Sequence, residues 1–297
     1  MKKKIIATIL GIILIVAMIG TYLYLKPKNE DTTTTKISLA EVTHSAFYAP
    51  LYVAIEEGYF KEEGLEIDLI LTPGADKVAA AVLSNDVQIG FAGTESAIYV
   101  YDGGEEDYLV TFAGLTKRDG QFIIGKNENF DWHDLEGKEV LVGRKGGMPA
   151  LNFLNALKNA GIDPNKVNIN YSIDFASLSG AYIGGSGDYV NLFEPNATLL
   201  EKEGYGTVVA SIGELSGEMP YTAFYARKSY INENKDVLEK FNRALNKGLT
   251  FVKEKDAKTI AEKIVPQFPD TSLEDLEKIV NRYKESDSWL ETTYIPE

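Results

Sequence analysis

The chain of 297 residues contains no cysteine, and its two histidines are His44 and His133. The first absence excludes thiol catalysis, disulfide staples and zinc–thiolate centres together. The second leaves too little imidazole for a histidine-built metal cage, so neither a metal site nor a cofactor is expected. Positive charge is also short: 30 Lys and Arg face 44 Asp and Glu, a formal net charge of −14. Phosphate backbones are held by clustered Lys and Arg, so no nucleic-acid partner is expected. The remainder is the composition of a well-cored globular chain, 44 % hydrophobic, 25 % charged and 11 % aromatic. The length suggests about two domains.

A long apolar run stands at the start. After Met1-Lys-Lys-Lys4 come 21 uncharged residues, Ile5 to Leu25. As a helix they span about 30 Å, the thickness of a hydrocarbon core. Tyr22 and Tyr24 sit at interfacial depth, and the three lysines favour an inside N-terminus. Residues 1–25 are therefore expected to be a membrane anchor. The competing reading is a cleaved signal peptide, although Ala17-Met18-Ile19-Gly20 matches a cleavage site poorly. Either way the rest of the chain is placed on the outer face of the cytoplasmic membrane, or secreted or periplasmic after cleavage. Residues 26–35, polar and Thr-rich, read as a linker. Setting residues 1–35 aside removes five lysines and two acids and leaves a net charge of −17.

Beyond the linker, strand-like and helix-like segments alternate. Ile37–Thr43, Leu65–Leu71 and Val87–Ala92 read as strands, and so do Leu109–Gly114, Gln121–Gly125, Glu139–Gly143, Val167–Ile173, Tyr189–Phe193, Thr207–Ser211 and Thr222–Ala226. Helices are predicted between them, and two more close the chain, Lys235–Lys253 and Leu273–Tyr283. Val237, Leu238, Phe241, Ala244, Leu245, Leu249 and Val252 form one apolar stripe at helical spacing. Repeated units of this kind imply α/β architecture with mostly parallel sheets flanked by helices.

In such sheets ligands lie beyond the carboxyl ends of strands, beside helix N-termini. Four strand-to-helix turns carry unusual residues. The first holds His44, Ser45, Phe47 and Tyr48 before Pro50. The second runs through Phe91, Gly93, Thr94, Glu95 and Ser96, with Thr94 an acceptable N-cap. The third, Gly143 to Pro149, includes Arg144, Gly146, Gly147 and Met148. The fourth ends a strand with Phe193 and Glu194. Each also has a plain structural reading: Gly-rich turns are common, His44 can be a hydrogen-bonded structural histidine, and the aromatics can be core. The coincidence of four such turns in one chain is what makes them candidate ligand-binding residues. No G-x-S-x-G, HExxH, Walker A or dinucleotide fingerprint accompanies them, so no catalytic residue is assigned.

The stretch His44 to Ile67, HSAFYAPLYVAIEEGYFKEEGLEI, resembles the opening of solute-binding proteins of ABC importers. The branch is the one that includes aliphatic-sulfonate, taurine, nitrate and thiamine-pyrimidine binders. The A-P-L-x-x-A-x-x-x-G-Y-F-x-x-x-G-L pattern from Ala49 to Leu65 carries the likeness. Echoes follow at Asp86–Ala92, Asp134–Gly143 and Phe193-Glu194-Pro195. The resemblance implies a two-lobed periplasmic-binding-protein-like fold (type II), with residues 36–120 plus 222–297 as lobe 1 and 121–221 as lobe 2. It places the crossings near Leu115–Gln121 and Met219–Ala226. It implies capture of a small-molecule nutrient in the inter-lobe cleft, delivery to an ABC permease with its ATPase, and a monomer that is not an enzyme. A lipobox cysteine, usual in Gram-positive members, is missing, and Ile5–Leu25 can replace its anchoring role. The same fold occurs in a fungal thiamine-pyrimidine synthase that uses a cysteine-rich motif, absent here. For the ligand, Glu95, Asp119 and Glu194 favour an amine or ring N–H, and Phe47, Tyr48, Phe91, Phe193 and Tyr221 offer stacking faces. These point to a planar nitrogen heterocycle such as a thiamine-pyrimidine precursor. Arg118 and Arg144, with the helix N-termini, keep a sulfonate-like oxyanion open as the alternative. A ligand-free surface domain is the third reading.

Overall fold

The computed structural model describes residues 34–295. The anchor expected over Ile5–Leu25 lies outside them, as does the linker up to residue 33. Among the described residues no helix is long and apolar enough to cross a membrane.

Ten strands form two five-stranded sheets. β1 (Thr35–Glu41), β2 (Leu65–Leu71), β3 (Ile89–Gly93), β4 (Leu109–Gly114) and β10 (Thr222–Arg227) make the first, in the order β2-β1-β3-β10-β4. The second holds β5 (Phe122–Gly125), β6 (Glu139–Leu141), β7 (Asn168–Asn170), β8 (Tyr189–Leu192) and β9 (Thr207–Ser211), in the order β7-β6-β8-β5-β9. The expectation of mostly parallel sheets needs amending, because each sheet is mixed. β10 runs antiparallel to β3 and β4, and β5 antiparallel to β8 and β9. The reason is topological. The other four strands of each sheet share one sense. β5 and β10 are the strands on which the chain enters each sheet from the other one, so they run the opposite way.

The two crossings lie side by side. Met219 N donates to Lys117 O (2.9 Å) and Tyr221 N to Thr116 O (3.1 Å). The C-terminal segment adds itself to the same ribbon, with Lys117 N donating to Ser288 O (2.9 Å) and Leu290 N to Leu115 O (3.0 Å).

Four α-helices follow β10, not the two predicted: Lys228–Glu233, Lys235–Glu254, Ala257–Ile264 and Leu273–Glu285. The predicted apolar stripe of the longest is buried throughout, and it packs across the Ala49–Glu56 helix. Ala257–Ile264 begins at Asp256, whose carboxylate accepts from Thr259 N (2.8 Å), satisfying one of the orphan donors of a helix start. One apolar core runs from the first sheet to the second through Phe47, Phe193, Phe122 and Tyr283.

Candidate ligand-binding site

The turn after β1 is folded by Ser45, whose Oγ accepts from Phe47 N (3.2 Å) and opens a single 3₁₀ turn, Ala46–Tyr48. That turn buries Phe47 and Tyr48 completely. The Phe47 ring stacks on Phe193 from the other sheet, with centroids 5.5 Å apart and planes 29° apart, and Tyr221 meets it edge-on at 5.9 Å. Its carbonyl accepts from Trp289 Nε1 (2.7 Å). Tyr48 packs on Phe91 at 4.4 Å, but Phe91 is itself sandwiched against Phe224 (4.2 Å). Phe91 thus belongs to the core of the first sheet, while Phe47, Phe193 and Tyr221 form an aromatic junction between the sheets.

The second turn is the most informative. β3 ends at Gly93, where a Cβ would fall 2.1 Å from Glu95 Oε2, so only glycine lets the Glu95 side chain fold back over it. Glu95 Oε1 accepts from Met148 N (3.0 Å), the first residue of the Met148–Asn159 helix of the second sheet. Arg144 Nη2 stands 3.9 Å from the same oxygen. Oε2 is buried and has no partner in the chain. Burial raises the Glu95 carboxyl above the ordinary carboxylate range, and the Met148 amide and Arg144 offset this in part. Thr94 does not cap the helix as predicted. Its backbone is already helical and its Oγ1 donates to Pro220 O (2.9 Å), reaching the second crossing instead. The Ser96 hydroxyl is spent on Gly93 O (2.8 Å).

In the third turn Gly146 holds φ +80°, a left-handed conformation that side chains disfavour, and its carbonyl accepts from Tyr99 Oη (2.8 Å). Gly147 and Met148 lead into the helix, and the Arg144 side chain is half exposed.

At three further candidate positions the polar groups are engaged within the chain. The Glu194 carboxylate is saturated within the chain by Thr198 N (2.8 Å), Thr198 Oγ1 (3.0 Å) and Arg282. It binds the C-terminal helix and leaves no oxygen free for a ligand. Both nitrogens of the His44 ring are taken, Nδ1 by Glu41 (2.6 Å) and Nε2 by Gln267 O (2.8 Å), and the ring packs on Phe268. Burial opposes its charged form, but the Glu41 hydrogen bond and charge prevail and raise its pKa. Arg118 pairs with Glu218 (3.0 Å) across the crossing ribbon.

Polar groups beyond the four turns complete the region. Asp119 Oδ1 accepts from Gln121 N (2.7 Å), while Oδ2 is buried without a hydrogen bond. Burial pushes this carboxyl up to about 8; the Gln121 amide and the nearby Tyr221 hydroxyl only temper it. Gln121 Oε1, Asn152 Oδ1, the Asn191 amide and the Tyr221 hydroxyl are likewise buried and unpaired. Buried polar groups are almost always satisfied, so these atoms are where an external donor or acceptor would find partners. One signal was available in the sequence: Asn191 interrupts an otherwise apolar strand.

Residues 46–258 match the family model described as "NMT1/THI5 like". The chain belongs to the NMT1/THI5 like family. It is 45 % identical over 263 residues to "Putative binding protein YtlA" of Bacillus subtilis (strain 168), a match covering 88 % of this chain and 79 % of that protein. A shorter match, 29 % over 113 residues, links it to the 4-amino-5-hydroxymethyl-2-methylpyrimidine phosphate synthase of Aspergillus parasiticus, covering 36 % of this chain and 32 % of that one. Among solved structures, the alkanesulfonate-binding protein SsuA from Xanthomonas axonopodis pv. citri, bound to MOPS, superposes with a TM-score of 0.68 at 16 % identity over 84 % of each chain. This NMT1/THI5 like chain therefore has the two-sheet α/β fold of periplasmic solute-binding proteins, as the resemblance implied.

Proposed function

We propose that this protein is the extracytoplasmic solute-binding component of an ABC importer, and that its ligand is a planar nitrogen heterocycle bearing an amino group, such as a thiamine-pyrimidine precursor. The observation carrying the ligand assignment is the pair of buried carboxyls, Glu95 and Asp119. Each has one oxygen fixed by a backbone amide and one without a partner, and both neighbour the Tyr48 and Tyr221 hydroxyls. Amino and ring N–H groups supply the donors that such oxygens lack, and a carboxyl that keeps its proton, as Asp119 does at neutral pH, can donate to a ring nitrogen. The Phe47, Phe193 and Tyr221 junction would border such a ring with aromatic edges. A sulfonate would instead meet two acids.

The enzyme alternative, a hydrolase or transferase using His44 as base near Ser45 or Ser96, finds little support in the groups it requires. A His44-based mechanism needs a free ring nitrogen, whereas both are engaged, and the Ser45 and Ser96 hydroxyls donate to carbonyls. The same reading assigns residues 5–25 to anchoring, a permease with its ATPase as partner, and a monomeric state. The test is thermal shift and native mass spectrometry of the full chain with 4-amino-5-hydroxymethyl-2-methylpyrimidine and with taurine. Stabilisation by the pyrimidine, recovered unchanged in mass, is expected. Stabilisation by taurine alone would overturn the ligand assignment, and a pyrimidine product of altered mass would overturn the binding role.

A further inference from the structure

We propose that Glu95 is an anion built into the cleft: its carboxylate fills the helix N-terminus that an oxyanion ligand would need, and so makes the protein reject sulfonate-like groups while its free oxygen accepts an N–H donor. The inference rests on the binding role proposed above and extends it to selectivity. Oxyanions bind at helix N-termini because the first-turn amides lack partners inside the helix and carry the positive end of its dipole. At the Met148–Asn159 helix those amides are few. Pro149 has no N–H, Gly147 brings no side-chain cap, and Met148 N is spent on Glu95 Oε1 at 3.0 Å. The carboxylate that takes it is the first residue of the Glu95–Asp102 helix, so one charge lies between helix starts contributed by both sheets. Arg144, 3.9 Å away, gives this internal anion a cationic neighbour. An incoming sulfonate would have to displace Glu95 and leave a carboxylate, 4 % exposed, stranded beside it. Without Glu95, the Met148 amide and Arg144 form the donor pair an oxyanion seeks.

The experiment is calorimetric titration of the full-length wild type, Glu95→Ala and Glu95→Gln with ethanesulfonate, and in parallel with 4-amino-5-hydroxymethyl-2-methylpyrimidine. Circular dichroism melts verify folding. Wild type is expected to bind ethanesulfonate at least tenfold more weakly than Glu95→Ala, with Glu95→Gln, which keeps the volume and loses the charge, also gaining. Should Glu95→Ala fail to melt cooperatively, Glu95→Gln alone decides. Equal ethanesulfonate affinity in wild type and folded variants, or none in any of them, overturns the inference. A gain in ethanesulfonate binding with no pyrimidine binding by wild type sustains the role of Glu95 and removes the heterocycle assignment. Pyrimidine binding without that gain does the reverse.

Discussion

Asp119 is a carboxylic acid placed where ionisation is most costly. It is 1 % exposed, and only the Gln121 amide and the nearby Tyr221 hydroxyl offset the cost of a negative charge there. Its pKa of about 8 stands against an ordinary value of 3.8. A carboxyl whose native pKa lies above its unfolded one takes up a proton on folding between those values. The stability it contributes is full below about pH 4 and is lost as pH rises through about 8. The melting temperature of the wild type is therefore expected to fall between pH 5 and 8.5, and Asp119→Asn, which cannot ionise, should show a shallower slope. Parallel slopes in calorimetric scans of the two proteins would refute this account. His44 acts in the same sense, since a raised histidine pKa also yields stability that disappears with rising pH, so His44→Gln is the proper control. Among the site residues, Glu95 was legible because a glycine–threonine step announces a helix start. The fate of Glu194 was not, because Arg282, which absorbs its charge, stands 88 residues further on. Asp119 was noticed only as an acid near a turn; its significance comes from burial at a crossing between two sheets.

The helices and strands were read from period and punctuation, and that reading succeeds where the signal is local. The stripe of Lys235–Glu254 is an example, and the structure adds why Gly248 falls within it: a Cβ there would come 2.1 Å from Pro50 O on the Ala49–Glu56 helix. This is the closest type of helix contact, which no larger residue permits without separation. Gly248→Ala is expected to destabilise the fold by about 1 kcal/mol net, an overpacking cost of about 2 kcal/mol less about 1 kcal/mol of regained helix propensity. Urea unfolding at an unchanged m-value measures it, and an unchanged or raised midpoint would show that the helices part freely. Where contacts are distant, the sequence reading runs out. Val167–Ile173 was predicted as a strand, yet pairing covers only Asn168–Asn170, because the Asn170 side chain accepts from Ser172 N (2.9 Å) and turns the chain. Nor does any local pattern tell that β5 and β10 run backwards. Their sense follows from entering each sheet across the cleft.

At the scale of the molecule the question is what holds the two sheets and their flanking helices together. Met148 N donates to Glu95, Tyr99 Oη to Gly146 O and Ser45 Oγ to Glu194 O, while Thr94 reaches Pro220 on the crossing; at the C-terminal helix Arg282 donates to Glu194 and Glu201, Lys278 to Glu201, Lys202 to Asp275, and Glu194 N to Tyr283 Oη. Each is worth about 1 kcal/mol net, and the Phe47–Phe193 stack adds about as much again. Opposing them are the buried, unpartnered atoms of Glu95, Asp119, Gln121, Asn152, Asn191 and Tyr221. Each such group costs about 1–3 kcal/mol until something pairs with it. In the binding role proposed above, a ligand that pairs those atoms shifts the balance by its differential affinity for the form that buries them. The crossing ribbon and the C-terminal segment bonded to it form the hinge in this proposal. Because the chain has no cysteine, single cysteines at Asp76 and Lys158, exposed positions on different lobes, can carry a donor and an acceptor dye. Single-molecule transfer efficiency is expected to be spread between two populations in the ligand-free protein and to collapse to the high-efficiency one with saturating 4-amino-5-hydroxymethyl-2-methylpyrimidine. Tyr99→Phe, which removes one bridging bond and no orphaned group, should move the ligand-free protein toward the open population by about fivefold. A single population unchanged by ligand and by Tyr99→Phe would mean that the lobes are permanently joined, and that the unpaired polar atoms are satisfied by water rather than by a captured solute.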